Sequence, residues 1–329
     1  MRAVRFEEYG GPEVLRVTED VVVPEPGPGR VSIDVAYAGV NFADLKARAE
    51  GYRVDALPYS PGLEVSGRVR ALGAGVEGLA VGQEVAALTT SGGYAEVAVA
   101  DAVTTFPLPD GLSLRTAATL PTVLPTAYAL LHSVGRLRSG ETVLVQGAAG
   151  GVGTVAGQLA RAAGAGQVIG VVSSEAKAAY AKGYGYDHVV LADGFGAAVR
   201  ELTGGRGVDL ALDPVGGETL RETREALAVF GRLVSFGNAS SAPAWQVGQP
   251  ELYPTGLSVA GFSILGLART APAELRSLAE HAFAVPGVEL PVTAEFPLTE
   301  AAEAHRLMGS RTSTGKLLLR AGRSSRCGG

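Results

Sequence analysis

Cysteine is almost absent from this 329-residue chain: the single thiol is Cys327, within the closing run Arg320-Ala-Gly-Arg-Ser-Ser-Arg-Cys-Gly-Gly329. An intrachain disulfide and a cysteine-based zinc site are therefore excluded. Histidine is scarce as well, with His132, His188, His281 and His305 scattered and none at metal-motif spacing, so each is expected at the surface or at a helix end. No metal is expected. Lysine occurs only at Lys46, Lys177, Lys182 and Lys316, and the net charge of −5 is spread without long runs of one sign. That distribution leaves no electrostatic footprint for nucleic acid. No apolar run approaches the ~20 residues of a membrane-spanning helix. The first residues, Met1-Arg-Ala-Val-Arg-Phe-Glu-Glu8, carry no apolar signal-like core, so a cytoplasmic protein is expected.

What is present is a globular composition, 47% hydrophobic and 19% charged, long enough for two domains of ordinary size. The first ~120 residues are broken by Gly and Pro into strand-like runs at 31–36, 64–71, 84–88 and 94–99. A helical stretch begins near Thr116 and continues past Pro125 to Val134. From Thr142 strands alternate with helices. Strands are expected at 142–146, 167–172, 187–191, 208–213, 231–236 and 257–261, with helices at 152–163, 175–183, 195–203 and 218–229. Beyond residue 262 come helices at 273–284 and 298–308, then a strand at 315–320 expected to return to the N-terminal β region. The fold class is α/β, with a doubly wound, six-stranded parallel sheet beside a β-rich domain.

Thr142-Val-Leu-Val-Gln-Gly-Ala-Ala-Gly-Gly-Val-Gly153 is the most informative stretch. A buried strand, a glycine-crowded turn and a helix follow in order, so free N–H groups would point at a pyrophosphate. The fingerprint reads Ala148-x-Gly150-x-x-Gly153, with alanine where the first glycine is usual. Taken alone, it leaves open a plain strand-to-helix turn. Asp213-Pro-Val-Gly-Gly217 and Ser235-Phe-Gly-Asn238 add two further glycine-bearing strand ends on the same sheet edge. Three such ends point to a dinucleotide.

The second strand ends at Ser173 and Ser174, followed by Glu175 and Lys177, where an NAD site would place an acid on the ribose. Hydroxyls and an ammonium favour a 2′-phosphate, so NADPH is the expected cofactor. A bland reading stays open, with a serine capping the next helix and Lys177 solvated.

At this point the chain resembles the zinc-independent quinone oxidoreductase (zeta-crystallin-like) branch of the medium-chain dehydrogenase/reductases. The marks are Gly10-Gly-Pro-Glu-Val-Leu15, Gly39-Val-Asn-Phe-Ala-Asp44, Pro61-Gly-Leu-Glu64, Gly93-Tyr-Ala-Glu96, Thr126-Ala-Tyr128, the glycine turn and Gly315-Lys-Leu-Leu-Leu319. The resemblance implies a GroES-like catalytic domain at 1–121 and 262–320 and a Rossmann domain at 122–261; the polar, glycine-ended run at 321–329 is expected to be a flexible tail. It also implies a homodimer joined through Rossmann sheet edges. Zinc alcohol dehydrogenases similar to this chain would carry a cysteine near Ala38 to Val40 and a histidine at Leu63, and neither is here.

The same resemblance implies site roles. Asn41 and Thr126 are expected beside the nicotinamide, with Phe262, Ser263, Ile264 and Lys316 close by. Gly150, Gly151, Val152 and Gly153 would form the pyrophosphate turn, and Val215, Gly216, Gly237 and Asn238 would line the crevice. Arg48 and Tyr52 match an Arg–Tyr pair facing the substrate, with Tyr52 able to hydrogen-bond the acceptor or relay a proton. Asp44 reads as structural, since a carboxylate would oppose charge developing on the acceptor. The implied activity is NADPH-dependent reduction of a quinone or of the conjugated C=C of an α,β-unsaturated carbonyl. An enone or enoyl reductase tailoring a secondary metabolite and a redox-inactive NADPH-binding protein remain alternatives. The pocket-forming loops at 48–59 and 240–256, with Trp245 and Tyr253, do not name the acceptor. Lys177→Ala should raise the KM for NADPH far more than that for NADH in steady-state kinetics; equal effects would remove Lys177 from the 2′-phosphate.

Overall fold

Glycine and proline breaks cut the N-terminal region into short strands, as their spacing implies. The computed structural model describes residues 1–243 and 245–321. Its first strands are β1 (Ala3–Arg5), β2 (Arg16–Thr18), β3 (Arg30–Val40), β4 (Glu64–Leu72), β5 (Glu84–Leu88), β6 (Val97–Asp101) and β7 (Thr105–Pro107). The middle of the chain supplies β8 (Thr142–Gln146), β9 (Gln167–Val172), β10 (His188–Leu191), β11 (Val208–Asp213), β12 (Leu227–Ser235) and β13 (Ser258–Gly261). The last two are β14 (Val292–Pro297) and β15 (Lys316–Arg320).

Two units result, Met1–Thr122 with Leu290–Gly329, and Val123–Glu289. In the first, a seven-stranded sheet runs β14-β15-β3-β4-β5-β7, with β6 also paired to β3. β15 lies antiparallel to β3, Leu317 opposite Val40 and Arg320 opposite Tyr37, and parallel to β14. The apolar side chains of Val31, Ile33, Val65, Val85, Leu317 and Leu319 meet in one core with Phe6 and Tyr94.

The second unit holds a six-stranded sheet in the order β10-β9-β8-β11-β12-β13. All five pairings are parallel, as expected of strands buried on both faces. In chain order the strands sit 3-2-1-4-5-6, so the winding reverses between β8 and β11, where such sheets bind ligands beyond the strand carboxyl ends. Leu144, Ile169, Val171, Ala211 and Leu233 pack with Phe195 and Val199 from helix Phe195–Leu202. No described helix is long and apolar enough to cross a membrane.

Several expectations need correction. Residues 262–289, given to the first domain by the resemblance, group with the second unit. The helix expected at 218–229 ends at Glu225, because Leu227 already opens β12. Ala226-Leu-Ala-Val-Phe230 is a continuous apolar run that suits helix or strand equally, and sheet pairing decides it. The strand expected at 94–99 lies at 97–101. Helix Phe42–Glu50 was not visible in the sequence because two of its buried residues, Asp44 and Arg48, are charged and erase the amphipathic signal. Ala321, expected to open the tail, is buried and donates its N–H to Ala36 O. Residues 322–329, including Cys327, lie outside the described residues.

Leu144 has no exposure in central strand β8. Leu144→Ala should destabilise the second unit by about 2–5 kcal/mol, read by denaturant unfolding, because a central strand relaxes little around a cavity.

Candidate functional site

β8 ends in Gln146, and the chain turns at Gly147 with φ of +67°. Ala148 donates its N–H to Val171 O (3.0 Å), pinning the turn to neighbouring β9, and Gly150 donates to Gly147 O (2.9 Å). Helix Gly151–Ala162 then begins, and its first internal bond runs from Thr154 N–H to Gly150 O (2.8 Å). The N–H groups of Gly151, Val152 and Gly153 thus precede the first intrahelical bond and are available to an anion. A side chain at Gly153 would collide with Gly147 O and lie 2.7 Å from Ala148 Cα, so the turn can be this tight only with glycine.

Strands β11 and β12 end beside it. Asp213 accepts from Val215 N–H (2.5 Å) and Gly216 N–H (2.9 Å), which curls the Pro-Val-Gly-Gly turn at the sheet edge. Burial raises the Asp213 carboxyl above its ordinary value, against those two donors. The β12 end is tied to that turn: Ala239 N–H donates to Pro214 O (3.0 Å) and Ser240 N–H to Val215 O (2.8 Å). Gly216, at φ of +76°, approaches Asn238 so closely that a Cβ would lie 2.5 Å from its Oδ1. Val215, Gly216, Gly237 and Asn238 are therefore one cluster. Ser173 and Ser174 follow β9 and are exposed; Ser174 caps helix Glu175–Ala181, accepting from Lys177 N–H (3.4 Å). The capping alternative is thus realised at Ser174, and capping one N–H leaves the hydroxyl able to meet a ligand. Phe262 N–H donates to Ser235 O (3.0 Å), and Ser263 caps helix Ile264–Thr270 through Gly266 N–H (3.2 Å). Thr126 is buried on helix Leu120–Tyr128. Trp245 packs on the core of this unit and Tyr253 stands exposed.

In the first unit, Asn41 follows β3 and caps helix Phe42–Glu50. Lys316 Nζ donates to Asn41 Oδ1 (2.6 Å), while Asn41 Nδ2 donates to Glu64 Oε1 (2.9 Å). Lys316 and Glu64 also form a buried ion pair. Arg48 and Tyr52 do not share a face. Arg48 is buried with Nε and Nη1 lacking a hydrogen-bond partner, whereas Tyr52 is 39% exposed and accepts from Arg53 Nε (3.2 Å). The gap lies in the helix: Arg48 is on its buried side, and Tyr52 follows the αL cap at Gly51.

Comparison with known proteins agrees with this layout. Residues 27–110 match the alcohol dehydrogenase GroES-like domain, and residues 151–282 match the domain described as zinc-binding dehydrogenase. A quinone oxidoreductase of Pseudomonas aeruginosa is 36% identical over 328 residues, 97% of this chain and 99% of that one. The chain belongs to the quinone oxidoreductase branch of the medium-chain dehydrogenase/reductases. Two solved structures carry the likeness to three dimensions. An Escherichia coli quinone oxidoreductase complexed with NADPH superposes with a TM-score of 0.89 at 31% identity, covering 97% of this chain and 100% of that chain. A mycobacterial protein, also complexed with NADPH, gives 0.90 at 35% identity with the same coverage of both chains.

Within this branch the sequence reading assigned no role to Glu64, Tyr94 or His305. His305, expected at the surface or a helix end, has no exposure at all. Its Nε2 lies 3.1 Å from Tyr94 OH, which is 3.3 Å from Asp44 Oδ2. Asp44 also accepts from Asn41 N–H and Gly62 N–H, both at 2.9 Å. The available signals were a histidine among alanines on helix Ala301–Gly309 and a tyrosine inside Gly93-Tyr-Ala-Glu96. Among the described residues, no group of three or more His, Cys, Asp and Glu is placed to hold a metal.

Burial pushes Asp44 up to about 7, with nearby Glu64 adding and two backbone donors and Lys316 opposing. Burial, then the Arg48 charge, lowers His305 to about 3. Stability from Asp44 is present below its ordinary 3.8 and lost as pH rises through about 7. Stability from His305 is present above its ordinary 6.5 and lost as pH falls through about 3. The two slopes oppose each other across their shared range. Asp44→Asn should therefore leave a protein whose unfolding free energy climbs with pH more steeply than the unchanged protein's between about 4 and 6.5, as measured by denaturant titration. Parallel curves would show that Asp44 is ionised in the folded state.

Proposed function

We propose that this protein is an NADPH-dependent, zinc-independent oxidoreductase that reduces a quinone or the conjugated C=C of an α,β-unsaturated carbonyl. The observation that carries the reading is the trio of N–H groups at Gly151, Val152 and Gly153, aimed from the β8 turn at the point where the sheet reverses its winding. Relatives of the same branch solved with NADPH support the choice of cofactor. NADPH would supply a hydride, and one proton completes reduction of the acceptor to a hydroquinone or a saturated carbonyl.

The glycine turn would hold the pyrophosphate on backbone donors. Ser173, Ser174 and Lys177 would receive the 2′-phosphate, and Val215, Gly216, Gly237 and Asn238 the adenosine side. In the second unit Thr126, Phe262, Ser263 and Ile264 would serve the nicotinamide end. In the first unit the resemblance gives Asn41 and Lys316 a nicotinamide contact. Leu63 is apolar and buried where a zinc enzyme of this likeness would need its histidine ligand. A conjugated acceptor suits such a site, because charge from hydride addition spreads onto oxygen without a Lewis acid. Tyr52 is exposed enough to offer its hydroxyl to that oxygen, and Arg48 lies buried on the helix that precedes it. A homodimer is supported by β13, an outer strand of the six-stranded sheet whose second edge has no described partner.

The test is NADPH consumption, followed by ultraviolet absorbance, against benzoquinones, naphthoquinones and enones. Turnover of quinones supports the reading, and turnover of enones alone selects the enone reductase. Tight NADPH binding with no turnover would overturn it in favour of a redox-inactive binding protein. Tyr52→Phe should lower kcat/KM about tenfold, the worth of one hydrogen bond to the developing oxyanion.

A further inference from the structure

Glu64 and Lys316 are the two most deeply buried charged side chains of the first unit's ion pairs, with relative exposures of 0% and 2%. A pair taken this far from water contributes little net stability, because desolvating both ions consumes most of their attraction. Both charges converge on one neutral side chain, Asn41.

Sheet register explains the convergence. Strands β15, β3 and β4 are adjacent in that order, and Leu317 pairs with Val40 while Val65 pairs with Ala38. Lys316 opens β15, Glu64 opens β4, and Asn41 follows the last residue of β3 between them. A cation therefore flanks Asn41 on one side and an anion on the other. The ammonium donates to Oδ1 at 2.6 Å, and Nδ2 donates to the carboxylate at 2.9 Å. Rotating the amide by half a turn would set NH2 against the ammonium and oxygen against the carboxylate, so only one orientation is allowed. Glu64 is itself held, since its Oε2 accepts Thr122 N–H at 2.8 Å. Gly39 leaves it room: a Cβ there would strike Glu64 Oε1 and come within 2.8 Å of Ala118 O. The Asn41 backbone is fixed separately, through its N–H to Asp44.

We propose that Lys316 and Glu64 are positioning residues that lock the Asn41 amide in one orientation, so that its second Nδ2 hydrogen donates to an oxygen at the nicotinamide end of bound NADPH. This rests on the assignment of Asn41 to the nicotinamide under the proposed function. It also changes the part given to Lys316, which acts on the cofactor through Asn41 rather than by its own contact. Orientation fixed before binding is a gain in affinity and alignment that a freely rotating amide would not supply.

The test is a cycle built on Asn41→Ala, the double variant E64Q/K316M and their combination. E64Q/K316M removes both charges together, leaving no lone buried ion, and glutamine accepts the Asn41 amide in either orientation. The first readout is free of cofactor: in 15N spectra of the apoprotein, the Asn41 side-chain NH2 pair is assigned by its loss in Asn41→Ala. That pair should shift and broaden in E64Q/K316M. The second is NADPH affinity by calorimetry together with kcat and KM. Asn41→Ala should weaken NADPH binding about five- to tenfold, the worth of one hydrogen bond. E64Q/K316M should cause a loss of similar size, and the combined variant should lose no more than Asn41→Ala alone.

Losses that add, or an Asn41 signal unmoved in E64Q/K316M, overturn the inference. Asn41→Ala binding NADPH as tightly as the unchanged protein overturns the nicotinamide assignment itself, and the positioning role with it. If E64Q/K316M does not fold, E64Q/K316Q, which also removes both charges together, enters the same cycle with the same expected non-additivity.

Discussion

Antiparallel pairing of β15 with β3 is the contact on which the organisation of this chain depends. It ties residues 317–320 to residues 37–40 across most of the sequence. Residues 123–289, which lie between them, form the second unit and fold as an insert with its own core. The same pairing closes the apolar interior of the first unit, where Leu317 and Leu319 meet Val31, Ile33 and Val65. It also carries a lysine from near the chain's end to an asparagine 275 residues away.

That interior is unusual for the charge it encloses. Asp44, Arg48, Glu64, His305 and Lys316 are all buried in one unit. In water each would be indifferent to the others, but with water excluded every donor and acceptor must be answered or its pKa moves. Asp44 and His305 respond by drifting toward their neutral forms, in opposite directions along the pH scale. Glu64 and Lys316 respond by pairing, with an amide held between them. The second unit solves its polar problem differently, leaving backbone N–H groups at one helix start open to an anion.

Legibility in the sequence followed burial pattern closely. Strands β8, β9 and β11 match their expected bounds, because short β-branched runs buried on both faces have no competing period. The glycine turn was readable for a similar reason, since collisions at Gly153 and the positive φ of Gly147 admit few other residues. Helix Phe42–Glu50 was invisible because charged Asp44 and Arg48 lie on its buried side, and His305 was misplaced because a histidine's burial depends on what packs against it. Residues 262–289, which the resemblance gave to the first domain, group by their contacts with the second unit, and contacts between distant segments are not written in local pattern.

By itself, then, the sequence determined the alternation of strands and helices, the glycine turn and the branch to which the chain belongs. These are written in local pattern: residue size, glycine placement and spacing act within a few positions of one another. Only the tertiary structure decided which charges share a dry interior, that Arg48 and Tyr52 part company, and that Asn41 is gripped from both sides. Those outcomes rest on strand register between distant segments, where one residue of slip would turn Lys316 or Glu64 to the opposite face.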